Sequence, residues 1–417
     1  MITPPGQAAR GRIRSSLFVF PSDLVDEGVD RVLARVRERG VDAVTVAVAY
    51  HQARDLTPRS PLRRLVYRQD GVFVPLPAQL WDGVRLRPPA QGAEEVAATA
   101  RLFQLAIPGE KLAWTVFLHN TTLGAAHPDV CAETCFGDRL LADLCPANPD
   151  VADYSVALAR TAAAVTGAPV VAEALAYGTF DHGHHHERGF VPLGPGERLL
   201  FGVCFCVHCR RAAGSSGVDA ERLRAAVAAR LERALTGDAP STPDDPDALC
   251  AAVGEELAGF LAARQHVVTD LTRRVADALH EDGGELVYLD LTGALLGYGS
   301  GTPQGPPVAA QGWRTGVDAA ALSSSVDGLA ILGYSRDVDR LRSDVGSVVD
   351  AVAGRCPVRV VLRPGHPDTP DQQNLSEKVA TFAALGVDAV DFYNYGLYPW
   401  PVLDRIPAAL RPVASTR

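Results

Sequence analysis

The densest grouping of metal-capable side chains in this sequence falls in two short stretches. The first, Asp181-His-Gly-His-His-His-Glu-Arg188, holds His182, His184, His185, His186 and Glu187. Imidazole and carboxylate together suit zinc, manganese or iron. Adjacent histidines point their rings apart and rarely all serve one ion. A divalent metal on His182, His184 and His186 therefore competes with a loop that hydrogen-bonds substrate hydroxyls. The second stretch, Cys204-Phe-Cys-Val-His-Cys209, sets Cys204, Cys206 and Cys209 at a zinc-like Cys-x-Cys-x2-Cys spacing. It has no second cysteine pair beside it. Cys131, Cys135 or Cys145 would have to complete a four-ligand site across loops. The cofactor expectations are thus one structural zinc, or a catalytic divalent metal. Buried free thiols are the alternative for the cysteines.

Just upstream, Gly167 to Gly178 reads as a strand delivering Glu173 near its C-terminal end, with Ala174-Leu-Ala176 behind it. An unpaired carboxylate buried in an apolar strand is costly. Glu173 must therefore reach an open mouth or find a partner, for which Arg363 is a candidate. A raised pKa at such a position suits a general acid. Cleavage of a glycosidic bond needs two carboxyl groups, about 5 Å apart for retention and about 6.5–9.5 Å for inversion. Asp290, in the next strand, is the first candidate partner. The two-residue alternation of a strand also allows Asp290 to face the helices, and Asp391, in the last strand, is then the substitute.

Eight apolar segments carry these residues. Strands are expected at Ile13–Phe20, Val41–Ala49, Lys111–Leu118, the Glu173 segment, Glu285–Leu291, Val326–Leu332, Pro357–Leu362 and Val387–Phe392. Helices are expected between them, including Glu94–Ala106, Val151–Val165 and one long helix over Ala248–His280. Repeated strand–helix alternation points to a single (β/α)8 barrel over 1–417, with an insertion at 178–280 after the fourth strand. A doubly wound open sheet is disfavoured, because no GxGxxG follows the first strand. Polar side chains gather where the strands end: Tyr50, His51, His119, Asn120, Tyr334, Arg363, His366, Tyr393 and Asn394. Barrel enzymes place their chemistry at that rim, so these residues are expected to bind substrate. Arg363 and His366 could hold an anionic group or simply pair with neighbouring acids.

The formal charge is −9, with acids and bases interspersed, which argues against a nucleic-acid partner. No run of about 18 apolar residues suggests a membrane span. Eight cysteines in a chain this long do not make a disulfide scaffold, and a cytoplasmic location with reduced thiols is the expectation.

Several stretches resemble a family of glycoside-hydrolase-like TIM-barrel proteins known mostly from sequence. They are Phe117-Leu-His-Asn-Thr-Thr-Leu-Gly124, Leu144-Cys-Pro-Ala-Asn-Pro149, the Glu173 strand with its histidine run, the Cys204–Cys209 stretch and Phe392-Tyr-Asn-Tyr-Gly396. The resemblance implies a barrel with a carbohydrate-type active site and brings no assigned catalytic pair. The best-known barrel glycosidases carry an acid/base Glu after an Asn on strand four and a nucleophilic Glu on strand seven. Here Ala172 precedes Glu173, and strand seven ends in Arg363. The leading expectation is a hydrolase acting on a glycosidic bond of a small sugar or glycoconjugate by carboxylate acid/base chemistry. A metal-dependent sugar isomerase, epimerase or lyase, and a non-catalytic carbohydrate-binding barrel, are the alternatives.

Overall fold

The computed structural model describes residues 12–411, apart from 107–108, 182–187, 239 and 298. Eight parallel strands form the frame: β1 (Arg14–Val19), β2 (Ala43–Tyr50), β3 (Glu110–Val116), β4 (Val170–Glu173), β5 (Leu286–Asp290), β6 (Gly328–Leu332), β7 (Val358–Leu362) and β8 (Ala389–Phe392). Each pairs with the next, and β8 pairs back onto β1 through Ser16 and Asp391, closing the barrel. The chain is therefore a closed (β/α)8 barrel.

Strand alternation sorts the side chains into two cores. Val44, Val46 and Val48 of β2 face the helical shell, whereas Ala47 faces the lumen. The lumen is filled by Phe18, Trp114, Val171, Leu289 and Val361, among others. Below them lies a polar layer. Arg359 grips Asp391 with two hydrogen bonds of 2.8 and 2.7 Å, and the Ser16 hydroxyl donates to the same carboxylate at 2.7 Å. A filled lumen makes this a packed core rather than a pore, as this barrel architecture requires.

Local chemistry starts and stops the helices. In Pro149–Thr166, the Asn148 side chain accepts from the Asp150 N–H, proline occupies the first turn, and Gly167 closes the end in a left-handed conformation. The helix expected over Ala248–His280 is two helices, Pro246–Val253 and Glu256–Glu281. Gly254, at φ +108°, breaks the run. The second of these packs its C-terminal half against Pro149–Thr166, while its N-terminal half, with Pro195–Gly202, Val207–Ser215, Ala220–Leu235 and Pro246–Val253, encloses a separate apolar core.

Two hairpins stand in the connections after β2 and β3, Ala53–Leu56 with Leu65–Arg68 and Cys131–Glu133 with Arg139–Leu144. Among the described residues, no helix is long and apolar enough to cross a membrane.

Candidate active site at the barrel mouth

Glu173 ends β4. Val170 and Ala172 turn to the helical shell, so Val171 and Glu173 turn inward. The Glu173 carbonyl accepts from the Phe117 N–H at 2.9 Å, which ties this position to the chain leaving β3. Its carboxylate accepts a hydrogen bond of 2.5 Å from the Trp114 indole N–H. Removal from bulk water pushes the carboxyl from its ordinary 4.5 up to about 7, while the Trp114 hydrogen bond and nearby His119 pull the other way. Near neutral pH this carboxyl is poised to hold a proton and to release it. Ala174 follows at φ +55°, a left-handed conformation that costs a non-glycine residue about 1–2 kcal/mol.

Above Glu173 lies a cavity of about 960 Å³. Its floor is made of lumen side chains, Phe18, Leu289 and Val361, and one wall carries Tyr50, His51, Tyr334 and Tyr393. The rings brace each other. His51 stacks on Tyr50 with centroids 4.3 Å apart and meets His119 edge-on at 4.8 Å, and the Tyr50 and Tyr393 hydroxyls are 3.2 Å apart. Such a wall offers aromatic faces and hydroxyl or imidazole hydrogen bonds to a ring-shaped polar molecule. Asp55, Asp181 and Asp244 also line the cavity, each paired with an arginine: Arg68, Arg198 and Arg314 respectively.

Of the substrate-binding candidates, Tyr50, His51, Tyr334 and Tyr393 line this cavity. His119 lines a smaller adjoining pocket that Glu173 shares. The remaining candidates are held elsewhere. Asn120 is buried and caps helix Thr121–Ala126, its Oδ1 accepting from the Leu123 N–H. Arg363 makes a buried two-pronged pair with Asp368 at 2.5 and 2.7 Å and lies over the Tyr334 ring. It reads as a brace behind Tyr334, and it is not the partner of Glu173. His366 is exposed and lines neither pocket; its carbonyl accepts from the Tyr398 hydroxyl. Asn394 is fully buried, with Oδ1 accepting from the Gly396 N–H.

Neither expected partner carboxylate stands beside Glu173. Asp290 follows lumen-facing Leu289, so alternation turns it away from the barrel axis. There its carboxylate accepts from the N–H and hydroxyl of Thr292, at 2.8 and 2.7 Å, and starts helix Thr292–Gly297. Asp391 does face inward, but in the polar layer deep in the lumen, committed to Arg359 and Ser16.

Two other residues shape the site without having been singled out from the sequence. Trp114 reads as an ordinary strand aromatic until the inward register of β3 sets it against Glu173. Asp143 lies in the hairpin strand Arg139–Leu144; its Oδ1 is 3.5 Å from His119 Nδ1, and it packs so close to Gly178 that a Cβ there would lie 2.2 Å from the carboxylate.

Behind the smaller pocket, Cys145, Cys204, Cys206 and Cys209 are all buried, with their sulfurs within 4.8 Å of one another. His182, His184 and His186 lie outside the described residues.

No protein-family model and no curated protein sequence matches the chain. Solved structures do match it in fold. The catalytic domain of beta-amylase from Paenibacillus polymyxa superposes with TM-score 0.50 at 11% identity, covering 96% of this chain and 99% of that one. Beta-galactosidase from the psychrophilic Marinomonas ef1 superposes with TM-score 0.51 at 12% identity. It is matched over 95% of this chain, which spans 59% of the galactosidase's length. At these identities the likeness is one of fold: the chain is built as a barrel of the kind seen in these glycoside-cleaving enzymes.

Proposed function

We propose that this protein is a glycoside hydrolase-like enzyme that protonates a glycosidic oxygen with Glu173. The observation that carries the reading is the placement of Glu173. It is a carboxyl at the C-terminal end of a barrel strand, raised to about 7, hydrogen-bonded to Trp114, and opening on a cavity of about 960 Å³. A carboxyl that keeps its proton near neutral pH can deliver it to a departing sugar oxygen, which otherwise leaves as a costly alkoxide. Tyr50, His51, Tyr334 and Tyr393 would seat the sugar ring, and His119 would keep the acid close to its working pKa.

Aryl glycosides differing in leaving-group acidity test this. Glu173→Gln should lose about 10²–10⁴-fold in kcat/KM on substrates with a poor leaving group. It should keep most of its rate on dinitrophenyl glycosides, whose leaving group needs no proton. An equal loss on both, or no loss, would remove Glu173 from the acid role.

A further inference from the structure

We propose that Cys145, Cys204, Cys206 and Cys209 form a closed tetrathiolate site for one structural zinc ion. Four ligands at about 2.3 Å from a tetrahedral zinc stand about 3.8 Å from one another. The sulfurs of Cys145 lie 3.4 Å from Cys209, 3.5 Å from Cys206 and 3.8 Å from Cys204. All four side chains are buried. The two other cysteines that the loops offered do not join them: Cys131 turns its sulfur towards the carbonyls of His127 and Leu141, and Cys135 lies outside the group. The fourth ligand is thus Cys145, contributed from 59 residues before the Cys204 motif.

The surroundings are built for negative sulfur. The Glu133 N–H donates to Cys204 at 3.3 Å, and the Tyr177 hydroxyl stands 3.3 Å from Cys209. Cys206 occupies the N-cap position of helix Val207–Ser215, where free N–H groups favour an anion. Arg264 is the cation stacked on Tyr177. It is 2% exposed and lies over the Tyr177 ring at 4.3 Å, and its Nε and Nη1 find no acceptor among the described residues. Its Nη2 donates to the Arg314 carbonyl at 3.3 Å, and the side chain also borders the large cavity. On binding Zn²⁺ the four thiols release four protons, leaving a site of net charge −2. Arg264, reaching it through the Tyr177 ring and hydroxyl, offsets part of that charge. All four positions are sulfur, which leaves none open for water or substrate and marks the ion as structural.

The location gives the ion its task. Cys145 follows the hairpin strand Arg139–Leu144 that carries Asp143 towards His119, whereas the other three cysteines belong to the chain inserted after β4. One zinc would join these two segments directly behind the wall beside Glu173.

The test reads metal and is independent of turnover. Untagged protein, grown with zinc and iron both supplied, should contain one zinc per chain by elemental mass spectrometry. Cys145→Ser and Cys206→Ser should lose it. Cys250→Ser, Cys356→Ser and the His182→Ala/His184→Ala/His186→Ala triple variant should retain it. Because losing a structural ion can unfold the first two variants, intact protein loaded with Co²⁺ provides the second measurement. It should show strong thiolate-to-cobalt charge transfer in the near ultraviolet and the visible bands of a tetrahedral ion. Folded wild-type protein free of metal, a disulfide among these cysteines, iron in place of zinc, or zinc lost with the histidines would overturn the proposal.

Discussion

Glu173 and Asp290 are neighbours in the sheet and opposite in role, and the difference is one step of strand register. Glu173 pairs with Leu289, so both point into the barrel, and Asp290 points out. The consequence for Glu173 can be read from its proton. The carboxyl ionises at about 7 in the folded chain against an ordinary 4.5, so between those values the folded chain holds a proton that the unfolded chain has lost. Stability should therefore fall as pH rises from about 4.5 to about 7 and level off above. The loss is on the order of 2 kcal/mol, below the full equivalent of the shift because the half-buried head faces cavity water. Glu173→Gln carries no such proton. Its melting temperature relative to wild type should rise between pH 4.5 and pH 8, and a gap constant with pH would mean that Glu173 is ionised throughout. The presence of an acid at this position was legible from the sequence, since a lone carboxylate in an apolar strand must have a use or a partner. Its hydrogen-bond donor was not, because nothing in a run such as Leu112-Ala-Trp-Thr-Val116 says which side of the strand faces in.

The elements divide along similar lines. The eight strands were legible because both faces of each are covered, giving near-continuous apolar runs. The hairpin Leu65–Arg68 was not: Leu65 and Tyr67 point to solvent, so its alternation is inverted and set among arginines. The break at Gly254 was hidden because apolar positions recur at helical spacing on both sides of it. The smaller pocket depends on one close approach between elements, Gly178 against Asp143. Gly178→Ala should push the carboxylate off His119, lowering both melting temperature and kcat/KM while leaving far-ultraviolet circular dichroism unchanged. Wild-type kinetics in that variant would show that the contact between Asp143 and His119 does nothing for the reaction.

At the scale of the whole molecule, the barrel has to close, and the Arg359–Asp391 pair sits where it does so, reaching from β7 to β8 with Ser16 of β1 attached. Removing one member of a buried ion pair leaves the other charge stranded, at a cost of about 3–5 kcal/mol. Asp391→Asn should lower the unfolding free energy obtained from urea titration by that much while leaving KM near its wild-type value, since Asp391 lies beneath the lumen layer and does not line the cavity. A large rise in KM with unchanged stability would return Asp391 to the site. Barrel architecture followed from strand–helix alternation alone. The pairing of particular side chains did not, because it depends on shear and inward register that no local stretch encodes.

Glu173 is held by backbone bonds to its neighbouring strands, whereas much of the cavity around it is made by chain inserted between barrel elements. Under the proposed reading, proton chemistry and substrate choice would reside in separately replaceable parts. On that reading, exchanging the segments that carry Asp181, Arg198 and Arg314 would change which ligand the cavity admits while leaving Glu173 where the barrel holds it.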